Sequence, residues 1–194
     1  MTIDSLSLLI TAAGVPIAAL VFWWQRREAM LRKSEVLAWS NEVISALSSL
    51  WIICRLRTSA WETPEVTVRM NNILFDTSIL IERGRLFFKN ADKENYGLEN
   101  EPAHQGYRPR ILDPIMTAHR IACLWGESNE QRRLRMAVIT EKSLQQFVSL
   151  AQKEVGRGKL VGSPEAAAGG KPISIDELLM SVDDSMLEKI HRIS

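Results

Sequence analysis

Ser5-Leu-Ser-Leu-Leu-Ile-Thr-Ala-Ala-Gly-Val-Pro-Ile-Ala-Ala-Leu-Val-Phe-Trp-Trp24 carries no charged side chain anywhere along its length. That matches the roughly 20 residues an α-helix needs to cross the hydrocarbon core of a bilayer. The competing reading, a core helix of a soluble bundle, would need burial on every face over this whole length. The segment is therefore read as a transmembrane helix.

Its flanks set the expected topology. A cleaved signal peptide has basic residues ahead of the apolar run and a small-residue cleavage site after it, whereas here Asp4 precedes and Gln25, Arg26 and Arg27 follow. Trp23 and Trp24 suit the headgroup interface. Arg26, Arg27, Arg32 and Lys33 place positive charge just beyond it. The positive-inside rule then predicts a single-pass anchor in the cell membrane, with the amino terminus outside and the rest cytoplasmic. Within the span, Ser7, Thr11, Gly14 and Ala18 are spaced by fours and threes and share one helical face. Small faces of this kind let membrane helices approach closely, so the seam is read either as a site of self-association or as an ordinary monomeric anchor.

Away from the span the composition is that of a globular domain. The 194 residues hold 24 Lys and Arg against 23 Asp and Glu. Such a balance gives no global field for sequence-independent nucleic-acid binding, and no nucleic acid is expected as a partner. Cys54 and Cys123 are too few for a disulfide scaffold and read as small apolar residues in a reducing compartment.

Working outward from the span, nothing forces the helix to stop at the membrane surface, since no proline follows Pro16 until Pro64 and no glycine follows Gly14 until Gly84. Val36, Ser40, Val43, Leu47, Leu50 and Cys54 mark a packing stripe with Leu37, Ile44 and Trp51 beside it. Glu35, Asn41 and Glu42 argue against a second span there. Thr63-Pro64-Glu65 signals a new helix start, followed by a stripe of Val66, Met70, Ile73, Thr77, Leu80 and Ile81 that frays near Arg83-Gly84-Arg85. Leu86-Phe87-Phe88 suits a short extended piece. Asp113-Pro114 reads as an N-cap plus proline opening a short helix to about Trp125. Ser128 to Gln131 has the form of a capping box, with Leu134, Ala137, Val138, Leu144, Val148, Ala151 and Val155 behind it until Gly156.

The expected organisation is all-α: a membrane anchor over 1–25, a cytoplasmic bundle of about four helices over 26–156 with a long loop at 89–110, a Gly- and Ala-rich flexible linker over 157–173, and an acidic amphipathic helix over 174–194. Ser174 to Glu177 reads as a capping box, and Ile175, Leu178, Leu179, Val182, Met186 and Ile190 line one face of that last helix. It is read either as a docking peptide for a protein partner or as a helix that folds back on its own bundle.

Chemistry is sparse. His104, His119 and His191 stand far apart, and no metal-ligand spacing, phosphate-binding glycine loop or nucleophile elbow occurs, so no cofactor, metal or catalytic residue is assigned and the enzyme reading is disfavoured. His119 falls on an apolar stripe and reads as a satisfied core residue. One block stands out: Arg83, Arg85, Lys89, Arg108 and Arg110 occur with Phe87, Phe88, Tyr96 and Tyr107 around the 89–110 loop. Guanidinium groups grip carboxylate or phosphate through paired donors, and aromatic faces stack, so the block is a candidate anion site. The same arginines have carboxylates nearby in sequence and suit a structural crossover equally. Facing lipid headgroups is a third possibility, extended to Arg132, Arg133 and Arg135, whose early helical position also suggests acidic neighbours. The functional expectation is a membrane-anchored helical interaction protein, an oligomeric scaffold or regulator. The alternative is a tethered enzyme or sensor of a phosphorylated or anionic ligand, and the third reading is a membrane-perturbing effector.

Overall fold

The computed structural model describes residues 3–56, 58–91, 96–156, 174–183 and 187, and within them the side chains of 22–25, 27, 30–56 and onward apart from 58. The described residues are all-helical. The first helix, α1 (Ile3–Cys54), runs without interruption for 52 residues, about 78 Å at the standard helical rise. The small-residue seam at Ser7, Thr11, Gly14 and Ala18 lies on it, but those side chains fall outside the described ones, as do the segments 157–173, 184–186 and 188–194.

The carboxy-terminal part of α1 forms one wall of the core. Val36, Trp39, Ser40, Val43, Leu47, Leu50 and Cys54 are all buried. One helix among the described residues is long and apolar enough to cross a membrane, the Phe22–Cys54 part of α1, whose most apolar stretch has a mean hydropathy of 1.4. Yet 44% of that stretch is buried inside the protein, because its apolar stripe faces other helices.

Those helices are α2 (Pro64–Phe87), α3 (Asp113–Leu124) and α4 (Glu130–Glu154). Cross-helix contacts fix their directions. Trp39 Nε1 donates to the Leu80 carbonyl at 3.0 Å and Arg69 donates to Ser49 Oγ at 2.9 Å, so α2 runs antiparallel to α1. Cys54 Sγ meets Thr140 Oγ1 at 4.0 Å while the Trp39 and Phe147 rings meet edge-on at 5.6 Å, so α4 is also antiparallel to α1. Thr77 of α2 touches His119 of α3 at 3.1 Å, and Gly84 of α2 faces Leu112 just ahead of α3. Each helix therefore returns beside the last, and one core joins all four.

Thr63 caps α2, its side chain accepting from the Val66 amide, and the expected stripe from Val66 to Ile81 is buried. The helix does not end at Gly84, however. It continues to Phe87, with Gly84 serving close packing instead of a helix stop: a Cβ there would stand 2.8 Å from Trp39 Cζ2 and 2.5 Å from Leu112 Cδ2. Leu86 and Phe87 are consequently helical, and only Phe88 is extended. Asp113 is the first helical residue of α3 rather than its cap, its carboxylate being held by Arg108 instead. Asn129, not Ser128, caps α4 by accepting from the Arg132 amide at 2.9 Å, while Ser128 Oγ donates back to the Leu124 carbonyl. Of the expected α4 stripe, Ala137, Val138 and Ala151 are buried, whereas Leu134, Leu144, Val148 and Val155 are half-buried, and Arg133, Met136, Thr140, Ser143 and Phe147 complete the buried face.

The fifth helix, α5 (Ile175–Met180), is one and a half turns long, and Ser174 at its start makes no side-chain capping bond. Ile175, Leu179 and Val182 are buried and Leu178 packs beside them, against α4 and α3. Met186 and Ile190 lie outside the described residues.

Candidate functional site

With Gly84 turned toward the core, its neighbours leave α2 about 100° to either side. Arg83 reaches back to α1 and pairs with Glu42. Arg85 points the other way, toward the 89–110 loop and α3. The consecutive Arg-Gly-Arg thus sends its two cations to different surfaces, a separation the sequence block concealed.

The loop is organised by its own backbone. Ala91 and Tyr107 exchange amide-to-carbonyl bonds of 2.8 Å in an antiparallel bridge. Gly106, at φ +80°, passes so close that a Cβ would stand 2.6 Å from the Ala91 carbonyl oxygen, and its amide donates to the Tyr96 carbonyl. Asn90 donates to the Gln105 carbonyl at 2.7 Å, and Gln105 in turn donates to the Asn100 carbonyl at 2.9 Å. These bonds bring Tyr96 and Tyr107 face to face, with centroids 4.7 Å apart and planes 11° from parallel.

Between this loop, the end of α2 and the start of α3 lies a cleft of about 310 Å³. Arg85, Arg108 and His104 supply its basic groups, Tyr96 and Tyr107 an aromatic wall, Asn90 and Asn100 amides, and Met116 an apolar patch. No Asp or Glu is among its described lining residues. Arg108 Nε donates to Asp113 Oδ1 at 2.5 Å, with both side chains largely buried. Burial pushes the Asp113 carboxyl above its ordinary range, while the hydrogen bond and charge of Arg108 and the charge of Arg110 oppose that rise. Arg85 is 17% exposed, and Glu82 sits at 3.4 Å from it with most of its side chain in solvent. That approach is a charge contact without hydrogen-bond alignment, for the buried Arg85 Nε finds no acceptor.

Of the candidate anion-binding residues, the structure brings Arg85 and Arg108 together. Arg83 is engaged elsewhere, and Lys89 and Arg110 are exposed and do not line the cleft. Of the aromatic set, Tyr96 and Tyr107 line it, whereas Phe87 and Phe88 pack on Trp39 at 6.1 and 5.6 Å. Sequence reading missed Asn90, Asn100, His104 and Met116. The usable signal was Gly97 and Gly106, both at positive φ, which mark a loop with a defined shape.

The other singled-out residues are engaged in structure. His119 Nδ1 lies 3.1 Å from Thr77 Oγ1, and since that hydroxyl donates to the Ile73 carbonyl at 2.7 Å, the imidazole is the donor in their contact. Arg132 bonds Asp176 of α5 at 2.9 Å, and Arg135 donates to the Leu179 carbonyl at 3.2 Å. Arg133 is buried at the opposite end of the helices, paired with Glu62, donating to the Trp125 carbonyl, and lying over the rings of Trp125 and Trp61 at 5.0 and 5.8 Å. Among the described residues no three His, Cys, Asp or Glu side chains converge as metal ligands. The chain matches no family model, no curated protein and no solved structure.

Proposed function

We propose that the chain is a membrane-anchored helical interaction protein, with α1 passing from the bilayer into a cytoplasmic bundle that works as an oligomeric scaffold. The apolar run before Trp24 and the basic residues after it support the anchor and its orientation. The observation that carries the interaction reading is the outer face of α2. Val68, Phe75, Ile79 and Leu86 fall within about 40° of one another on the helix, and each is more than half exposed. A stripe of this kind, on the side opposite the buried Val66 to Ile81 stripe, suits packing against another helix. Copies held in one bilayer meet at high effective concentration, which favours a second copy of this chain as the occupant.

The test is cysteine cross-linking in membranes. In a Cys123→Ser background, Ile79→Cys should give a disulfide-linked dimer, and adding Phe75→Glu should abolish it. A monomer in detergent together with no cross-link in membranes would overturn the reading. The α5 segment serves this scaffold in cis, since Ile175, Leu179 and Val182 already pack on α4 and α3, and a protein partner for that face would have to displace them.

A second reading, an anchored sensor of an anionic ligand, has its own support in the cleft lined by Arg85 and Arg108, with no carboxylate among its described lining residues. Binding of any small anion, lost on Arg85→Gln, is its test.

A further inference from the structure

The chemistry of the cleft narrows what such a sensor would bind. Arg85 and Arg108 keep 17% and 16% of their side chains exposed, so both side chains are largely withdrawn from solvent. Arg108 meets Asp113 through Nε, and Arg85 approaches Glu82 through Nε at 3.4 Å, so each contact engages one edge of its guanidinium. Burying charge is costly unless opposite charge and hydrogen bonds compensate it. The cleft thus presents two guanidinium groups, a histidine at its rim and no Asp or Glu among its described lining residues, a surface suited to a dianion with three acceptor oxygens.

A body attached to that anion has a place as well. The Tyr96 ring stacks on Tyr107 by one face and is 46% exposed, leaving area for a third flat or apolar group. A volume of about 310 Å³ accommodates a small ligand and no more than part of a large one.

Location adds a further element. Arg32 of α1 donates to the Phe87 carbonyl at 3.0 Å, and Lys33 lies beside Gly156 at the end of α4. The cleft therefore sits at the end of the helices from which the amino-terminal half of α1 leaves. Only about 12 Å of helix separates Arg32 from Trp24, the last residue of the charge-free run.

We propose that this cleft is a phosphate-monoester site, in which Arg85 and Arg108 grip the terminal phosphate and Tyr96 covers the group attached to it. The proposal rests on the sensor reading above and specifies its ligand. A terminal phosphate on a membrane lipid and a soluble phosphate ester share this chemistry, and the position beside the anchor lets either reach the site.

The test uses the full chain in lipid nanodiscs, with the thermal midpoint and protection of arginines from phenylglyoxal as readouts. One arm compares discs of phosphatidylcholine containing phosphatidic acid with discs containing phosphatidylserine at the same surface charge. The other adds adenosine monophosphate, or citrate as a carboxylate control, to discs of phosphatidylcholine alone. The expected result is a raised midpoint and protected arginines with phosphatidic acid, adenosine monophosphate or both, and neither effect with phosphatidylserine or citrate. Response in the first arm alone assigns a lipid source, and response in the second a soluble one. Arg85→Gln should weaken binding at least about tenfold, and Tyr96→Ala, at a half-exposed position that the fold tolerates, should weaken adenosine monophosphate more than inorganic phosphate. Arg110→Gln, outside the cleft, should change nothing. Equal protection by citrate and monoester would leave the sensor reading standing and overturn the phosphate assignment. No protection by any anion would overturn both.

Discussion

Gly84 of α2 meets the indole of Trp39 of α1 across a gap that has no room for a side chain, a Cβ there standing 2.8 Å from Trp39 Cζ2. Trp39 is fully buried, bonded through Nε1 to the Leu80 carbonyl, and ringed by Phe87, Phe88 and Phe147. The contact therefore fixes the spacing of α1 and α2, and with it the direction in which Arg83 and Arg85 leave the helix.

Gly84→Ala should accordingly destabilise the fold even though alanine is the better helix former. Its methyl group must displace Leu112 or the indole, and overpacking of this kind costs about 1–3 kcal/mol, more than the roughly 1 kcal/mol gained in helix propensity. Urea denaturation followed by tryptophan fluorescence measures the difference. A variant as stable as the wild type would mean that α1 and α2 part freely at this point.

Much of this architecture is legible in the sequence and some of it is not, for physical reasons. The stripes Val36 to Cys54 and Val66 to Ile81 follow from helical periodicity, because each helix buries one face and the period is fixed by backbone geometry. Helix ends were read less well. Asn129 and Ser128 are both good caps, and which of them serves depends on where α3 stops, not on local composition. The Arg and aromatic block scattered for a similar reason. Its residues share a stretch of sequence, but Gly84 facing inward sends Arg83 to Glu42 and Arg85 to the cleft. The Tyr96–Tyr107 stack and the seat of Arg133 on Trp61 and Trp125 join residues distant in sequence, with no periodic signal connecting them.

The two thiols should differ sharply in reactivity. Cys54 is buried beside Thr140, and burial pushes its thiol up to about 12, with the Thr140 contact pulling weakly the other way. Cys123 is exposed. At pH 8 a thiol reagent should label Cys123 alone in the native chain and both residues in denaturant, since the thiolate is the nucleophile. Mass spectrometry of labelled peptides reads the result, and rapid native labelling of Cys54 would show that the end of α1 opens readily.

Asp113 should make stability depend on pH in a direction opposite to that of an ordinary surface ion pair. Burial raises its carboxyl above the usual 3.8, despite the hydrogen bond and charge of Arg108 and the charge of Arg110. The native state then holds that proton more tightly than the unfolded chain. The resulting stabilisation is fully present below 3.8 and is lost as pH rises through the raised value. Compared with Asp113→Asn, the wild type should lose stability as pH climbs through that window, as followed by denaturant midpoints at a series of pH values. A wild type that gained on the variant over the same range would show that attraction to Arg108 outweighs burial.

The attachment of α5 can be weakened from its apolar side or its polar side, and the two should differ in size. Leu179 is 6% exposed against the other helices, whereas Asp176 pairs with Arg132 at a surface where the Asp176 side chain is 70% exposed. Leu179→Glu removes apolar contact and forces a charged carboxylate into an apolar setting, so it should release the segment and expose the 174–183 amides to hydrogen exchange. Asp176→Asn breaks only a solvent-screened pair, worth about 0–1 kcal/mol, and should leave exchange nearly unchanged. Equal and large effects would assign the docking to the ion pair. No effect from Leu179→Glu would mean that α5 leaves the other helices readily in solution, the state in which its apolar face is open to a partner.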